Sequence, residues 1–83
     1  MSARVRFTLY GREGCHLCED MARALEVLAA ELDFAVTKVD VDFDADAEAR
    51  YGNRVPVLVD GAQSEICHAV LDVEAVRQRL AVK

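Results

Sequence analysis

The chain has 83 residues, a formal net charge of −5 at neutral pH, and 53% apolar against 30% charged residues. A chain this short cannot be split into pieces that each bury a core without metal or disulfide support, so residues 1–83 are expected to form one globular domain. Its acidity and scattered basic residues argue against a nucleic-acid partner, and apolar runs such as residues 25–32 are broken by Glu26 and Glu31, which argues against a membrane span.

Residues 1–7 contain Arg4 and Arg6 but no separate apolar region and no small-residue cleavage site, so no export signal is read there. Residues 5–10 alternate as a strand with Val5, Phe7 and Leu9 on one face, and Gly11 and Gly14 then mark a loop. An amphipathic helix follows, because Cys18, Met21, Leu25, Leu28 and Leu32 recur at intervals of three and four. Glu19 and Asp20 fall in its first turn, where negative charge suits the positive end of the helix dipole.

The β-branched stretch 34–41 predicts a second strand, after which Asp44 is placed to cap a short helix ending at Gly52. Val57-Leu58-Val59 predicts a third strand. Asp60-Gly61 is a short hairpin signal leading into a fourth strand over residues 63–68. Asp72 is an N-cap candidate for a terminal helix with Val73, Val76 and Leu80 on one face. The expected order is β-α-β-α-β-β-α: a parallel pair joined through the first helix, extended by an antiparallel hairpin, with helices on both faces of a four-stranded mixed sheet.

The chemistry concentrates in Cys15-His16-Leu17-Cys18, at the junction of the first strand and helix. Cys15 falls at the helix N-terminus, where unpaired backbone N–H groups favour a thiolate. Cys18 lies one turn on, within reach to displace a mixed disulfide, so Cys15 is the expected nucleophile and Cys18 the resolving thiol. A protonated His16 and Arg12 favour the anion, whereas Glu13, Glu19 and Asp20 oppose it. The pair also suits half of a metal site, but the further ligands would have to come from Cys67-His68, and adjacent strand residues point to opposite faces. No metal site is therefore assigned. The alternating Asp40, Asp42, Asp44 and Asp46 lack the glycine and glutamate of a calcium loop and are read as a solvated strand edge and helix cap.

Residues 7–18, Phe-Thr-Leu-Tyr-Gly-Arg-Glu-Gly-Cys-His-Leu-Cys, resemble the first strand and active-site loop of glutaredoxins in the thioredoxin superfamily, and are most similar to the small glutaredoxin-like proteins of bacteria. The resemblance implies a thioredoxin-like fold and a cis Val55-Pro56 bond beside the dithiol. It also implies that Arg12 meets a carboxylate of glutathione, which is then a candidate reductant with no tightly bound cofactor. A cis turn there would present the Val55 backbone to an extended peptide. Three features differ from the family pattern. The Gly-Gly pair expected after the last strand is replaced within Ile66-Cys67-His68-Ala69-Val70-Leu71-Asp72, the motif interior is His16-Leu17, and Leu9 stands where thioredoxins place a buried acid.

The inferred topology brings Cys67 and His68 toward the dithiol end as candidate modulators, by thiol exchange or proton relay. Cys67 also fits a plain role as a small buried hydrophobe. Three cysteines, two of them paired as Cys-x-x-Cys, suit a reducing cytosol, and the chain is expected to be cytoplasmic; it is also expected to be a monomer. The expected activity is thiol–disulfide exchange on a protein or small-molecule disulfide, recycled by a thiol reductant. The alternatives are a metal or iron–sulfur module using the same cysteines and a non-catalytic partner-binding domain of the same fold.

Overall fold

The computed structural model describes residues 4–81; residues 1–3, part of the segment read for an export signal, lie outside it, as do residues 82–83. The elements run β1 (Arg6–Gly11), α1 (His16–Leu32), β2 (Ala35–Asp40), a 3-10 turn (Val41–Phe43), α2 (Ala45–Tyr51), β3 (Val57–Val59), β4 (Glu65–His68) and α3 (Val73–Ala81). Apart from the 3-10 turn, this is the expected order. The sheet has four strands in the order β2-β1-β3-β4. β1 pairs in parallel with β2, β3 is antiparallel to β1, and β4 is antiparallel to β3.

The two faces of the sheet bury different sets of side chains. On one face, Phe7, Leu9 and Leu58 from the strands meet Met21, Leu25 and Leu28 of α1 and Val76 of α3. On the other, Val57 and Val59 meet Ala47 and Tyr51 of α2 together with Val41. Alternate residues of β3 thus feed opposite layers, as the two-residue period of a strand requires. Phe7 and Phe34, each 1% exposed, pack with ring centroids 5.1 Å apart. Burying each such side chain stabilises the fold by about 1.5–3 kcal/mol.

Local chemistry sets the element ends. α1 stops because Asp33 takes a left-handed conformation (φ 59°) and its N–H returns to the Ala29 carbonyl at 2.8 Å. The second strand is shorter than residues 34–41: the Asp40 carboxylate accepts the Asp42 N–H at 2.9 Å and starts the 3-10 turn, while Phe34 belongs to the core ahead of the strand. Asp44 caps α2 as expected, accepting from the Ala47 N–H at 3.0 Å.

The Asp60-Gly61 reading needs correction. Asp60 accepts the N–H groups of both Ala62 and Ser64, the left-handed residue is Gln63 (φ 65°), and β4 begins only at Glu65. The aspartate therefore organises a longer loop by its side chain rather than forming a two-residue turn with its glycine. Asp72 does cap α3, through the Ala75 N–H at 3.0 Å. Val5 and Val73 are 47% and 41% exposed, so neither joins the buried stripe predicted for it. No helix among the described residues is long and apolar enough to cross a membrane.

Candidate active site

The antiparallel register Tyr10↔Val57 and Val57↔His68 brings the C-terminal end of β1, the N-terminal end of β3 and the C-terminal end of β4 to one edge of the sheet. The loop carrying the cysteines leaves β1 at this edge. Cys15 is the N-cap of α1, with extended backbone, and its Sγ accepts the Cys18 N–H at 3.2 Å. Its carbonyl accepts the Glu19 N–H at 3.0 Å, which starts the helix. A sulfur in the place usually held by a serine or aspartate oxygen is thus met by one of the unpaired amides of the first turn.

Cys18 faces inward and is 7% exposed, whereas Cys15 is half-buried, and both are free thiols. A Cβ on Gly11 would lie 3.3 Å from both Cβ and Sγ of Cys18, so the bare glycine at the end of β1 makes room for the inner thiol. Burial pushes the Cys18 thiol up to about 11, helped by its hydrogen bond with Cys15 and opposed by the Arg12 backbone N–H. At neutral pH Cys18 is protonated. It also lines a shallow depression of about 190 Å³ with Leu9, Gly11, Arg12, Glu19, Ala22 and Lys38 among others.

Arg12 stands in the same loop, but its guanidinium is turned to the protein itself. It donates to Glu48 Oε2 at 2.6 Å and to the Gly52 carbonyl at 3.0 Å, and it lies 3.2 Å from Asp42 Oδ1. His16 and Leu17 are exposed on the first turn of α1. Val55-Pro56 is a cis bond; Val55 is half-buried, Pro56 is buried, and the Pro56 carbonyl accepts the Ala69 N–H at 2.9 Å.

Cys67 and His68 reach the same end of the sheet but separate there. Cys67 packs against the α1 and α3 core, and burial pushes its thiol up despite the Asp72 backbone N–H. His68 is exposed, with Nδ1 3.0 Å from Glu65 Oε2, and Glu65 in turn accepts from Arg54 at 2.6 Å. Burial raises the Glu65 carboxyl, but the hydrogen bonds from Arg54 and His68 outweigh it and leave the group below its usual range.

Several contributors escaped the sequence reading. Asp42 and Glu48 act on Arg12 from positions 30 and 36 residues away, with no local pattern linking them to it. The short helix does end at Gly52 as expected, with that glycine's backbone right-handed (φ −54°, ψ −33°), so the position makes no use of glycine's freedom at positive φ. What matters at Gly52 is the missing side chain: a Cβ there would lie 2.3 Å from Glu48 Oε1 and 2.6 Å from the Glu48 carbonyl oxygen. Ala69, φ 66°, occupies a conformation normally left to glycine, at the point where the Gly-Gly pair was missed. Among the described residues no group of three or more histidine, cysteine, aspartate or glutamate side chains is arranged to hold a metal ion.

A four-stranded mixed sheet covered on both faces, with a Cys-x-x-Cys pair at the N-terminus of the first helix, defines a thioredoxin-fold protein. Thioredoxin 1 from Thermosipho africanus TCF52B superposes with a TM-score of 0.65 over 90% of this chain and 93% of its own, at 16% identity, a likeness of fold alone. More specifically, the model of the Glutaredoxin-like domain (DUF836) matches residues 6–81, and the chain belongs to that family. Protein Ne2328 from Nitrosomonas europaea is similar at 34% identity and a TM-score of 0.83, covering 98% of this chain and 96% of that one. Protein XcR50 from X. campestris is similar at 40% identity and a TM-score of 0.65, covering 89% and 93%. No curated protein sequence matches the chain.

Proposed function

We propose that this protein is a cytosolic thiol–disulfide oxidoreductase in which Cys15 attacks and Cys18 resolves. The observation that carries the reading is the asymmetry of the pair: Cys15 is half-buried at a helix N-cap with an amide aimed at its sulfur, while Cys18 is buried and protonated. A thiolate is the attacking species in disulfide exchange, and an N–H at 3.2 Å is a donor available to whatever negative charge that sulfur carries.

The Cys15 thiolate attacks one sulfur of a substrate disulfide, forming a mixed disulfide and releasing the first substrate thiolate, which takes up a proton. Cys18 then gives up its proton and attacks Cys15 Sγ. The Cys15–Cys18 disulfide forms and the second substrate thiol leaves. The substrate gains two electrons and the protein loses them; an external thiol reductant restores the pair by the reverse chemistry. Val55 and Pro56 border the substrate slot in this reading, supported by the register that places the start of β3 beside the end of β1.

The reading is tested with Cys15→Ser and Cys18→Ser variants exposed to a peptide disulfide and analysed by intact mass. The expected result is a stable mixed disulfide on Cys15 in Cys18→Ser and no adduct at position 15 or 18 in Cys15→Ser. An adduct on Cys18 in Cys15→Ser, formed at the rate of the parent protein, would overturn the assignment of roles.

A further inference from the structure

The dithiol sits in a negative field. Glu13 and Glu19 flank the cysteines, both exposed and neither in an ion pair among the described residues. Arg12 reaches Cys18 with its charge but offsets them only in part, because that single charge is also met by two carboxylates, Asp42 and Glu48, and the cluster of three carries a net negative charge. Arg54, just ahead of Val55-Pro56, is likewise held by Glu65. Lys38 and Arg12 line the depression over Cys18 together with the carboxylates of Glu19 and Asp40, and Cys15 is not part of that lining.

The hold on Arg12 is built into the backbone. Its third partner is the Gly52 carbonyl, and the absence of a side chain on Gly52 leaves the space that the Glu48 carboxylate occupies. Along the opposite side of α1 from Ala22 lies a mainly apolar groove lined by Leu17, Met21, Ala24, Ala69, Val70 and Leu71, with Asp20 at its edge and Leu17 48% and Val70 70% exposed. Carboxylates on one side and apolar side chains on the other complement a polypeptide segment that is basic and apolar. They repel a small disulfide bearing carboxylates, since like charges within a Debye length lower the encounter rate.

Resting on the exchange reading above, we propose that this dithiol selects disulfides carried on basic, apolar polypeptide segments and discriminates against small anionic disulfides such as glutathione disulfide. Arg12 is the positioning residue of that selectivity: it ties the active-site loop to α2 and is withdrawn from the substrate.

The test is single-turnover oxidation of the reduced protein, followed by the appearance of the Cys15–Cys18 disulfide. The probes are short peptide disulfides whose flanks are lysine and leucine, serine and leucine, or glutamate and leucine, with glutathione disulfide as a fourth. At low ionic strength the lysine peptide is expected to react at least about tenfold faster than the glutamate peptide, with the ratio falling toward one in molar salt. Glu13→Gln with Glu19→Gln, both at exposed positions, narrows the ratio. Asp42→Asn with Glu48→Gln, which frees the Arg12 charge, raises the rate with glutathione disulfide at least about threefold relative to the rate of the same variant with the serine peptide. Equal rates for lysine and glutamate peptides at low salt, or a glutathione disulfide rate matching the lysine peptide, would overturn the selectivity alone. A serine peptide that leaves the cysteines reduced would overturn the exchange reading itself.

Discussion

Replacing Gly52 by alanine separates two accounts of that glycine by the sign of the effect. The backbone at position 52 is right-handed, φ −54° and ψ −33°, a conformation alanine adopts freely. On conformational grounds Gly52→Ala should therefore stabilise the protein by about 0.4–1 kcal/mol, through a less flexible unfolded chain. The structure predicts the opposite. The new methyl would lie 2.3 Å from Glu48 Oε1, which can swing away, and 2.6 Å from the Glu48 carbonyl oxygen, which is fixed in the last turn of α2. Forcing a methyl into such a space costs about 1–3 kcal/mol. Displacing the carboxylate also weakens the Arg12–Glu48 pair. The net expectation is destabilisation of about 1–2 kcal/mol, or a fall in Tm of roughly 4–16 °C for a domain of this size. Thermal and urea unfolding of the reduced protein measure it directly. A variant as stable as the parent, or more so, refutes the steric account and with it the claim that Gly52 makes room for the Arg12 cluster.

Two further predictions follow from the charges and thiols. With the Cys18 thiol pushed up to about 11, alkylation of the reduced protein at pH 8 should modify Cys15 ahead of Cys18, and Cys18 should gain reactivity only as the pH climbs toward 11; peptide mapping against pH reads both rates, and equal labelling at pH 8 contradicts the burial argument. Asp60 is held below its usual carboxylate range chiefly by the Ser64 N–H, with Arg79 and the Ala62 N–H adding to it against the cost of burial. Removing these bonds in Asp60→Ala should cost about 2 kcal/mol at neutral pH. Because the folded-state pKa is lowered, that contribution is present in full above the ordinary carboxylate range and is lost as the pH falls from there through the lower folded-state pKa, so the stability gap between the two proteins should close in acid. A gap that persists at low pH would show that the carboxylate is not its source.

Local patterns carried most of the fold. The three- and four-residue spacing from Cys18 to Leu28 is the buried stripe of α1, and Asp44 and Asp72 cap the helices they precede. Each of these signals lies within a few residues of its effect. Asp60-Gly61 misled because the same aspartate can organise a longer loop through its carboxylate, which here also accepts from Arg79, 19 residues further on in α3. The dithiol was legible for a similar local reason: a Cys-x-x-Cys at a strand–helix junction puts one sulfur at the cap and the next inside the first turn. The environment of Arg12 was not. A basic residue three positions before Cys15 reads as a group offered to a ligand, and only tertiary structure brings Asp42, Glu48 and the Gly52 carbonyl around it. Likewise Cys67 and His68 do arrive at the dithiol end, but strand alternation sends one toward the core and leaves the other with Glu65.

Bulk is distributed unevenly around the two sulfurs. Behind Cys18 the chain omits a side chain at Gly11, where a methyl group would press on the thiol. In the loop after β4 it does the reverse and keeps a methyl on Ala69 at φ 66°, a conformation that disfavours an L-residue by about 1–2 kcal/mol. Ala69 sits in the wall of the groove shared with Leu17 and Val70. Glycine there would ease the backbone but open a gap in that wall. The protein tolerates a local weakness in its last loop and in return keeps the wall of that groove closed.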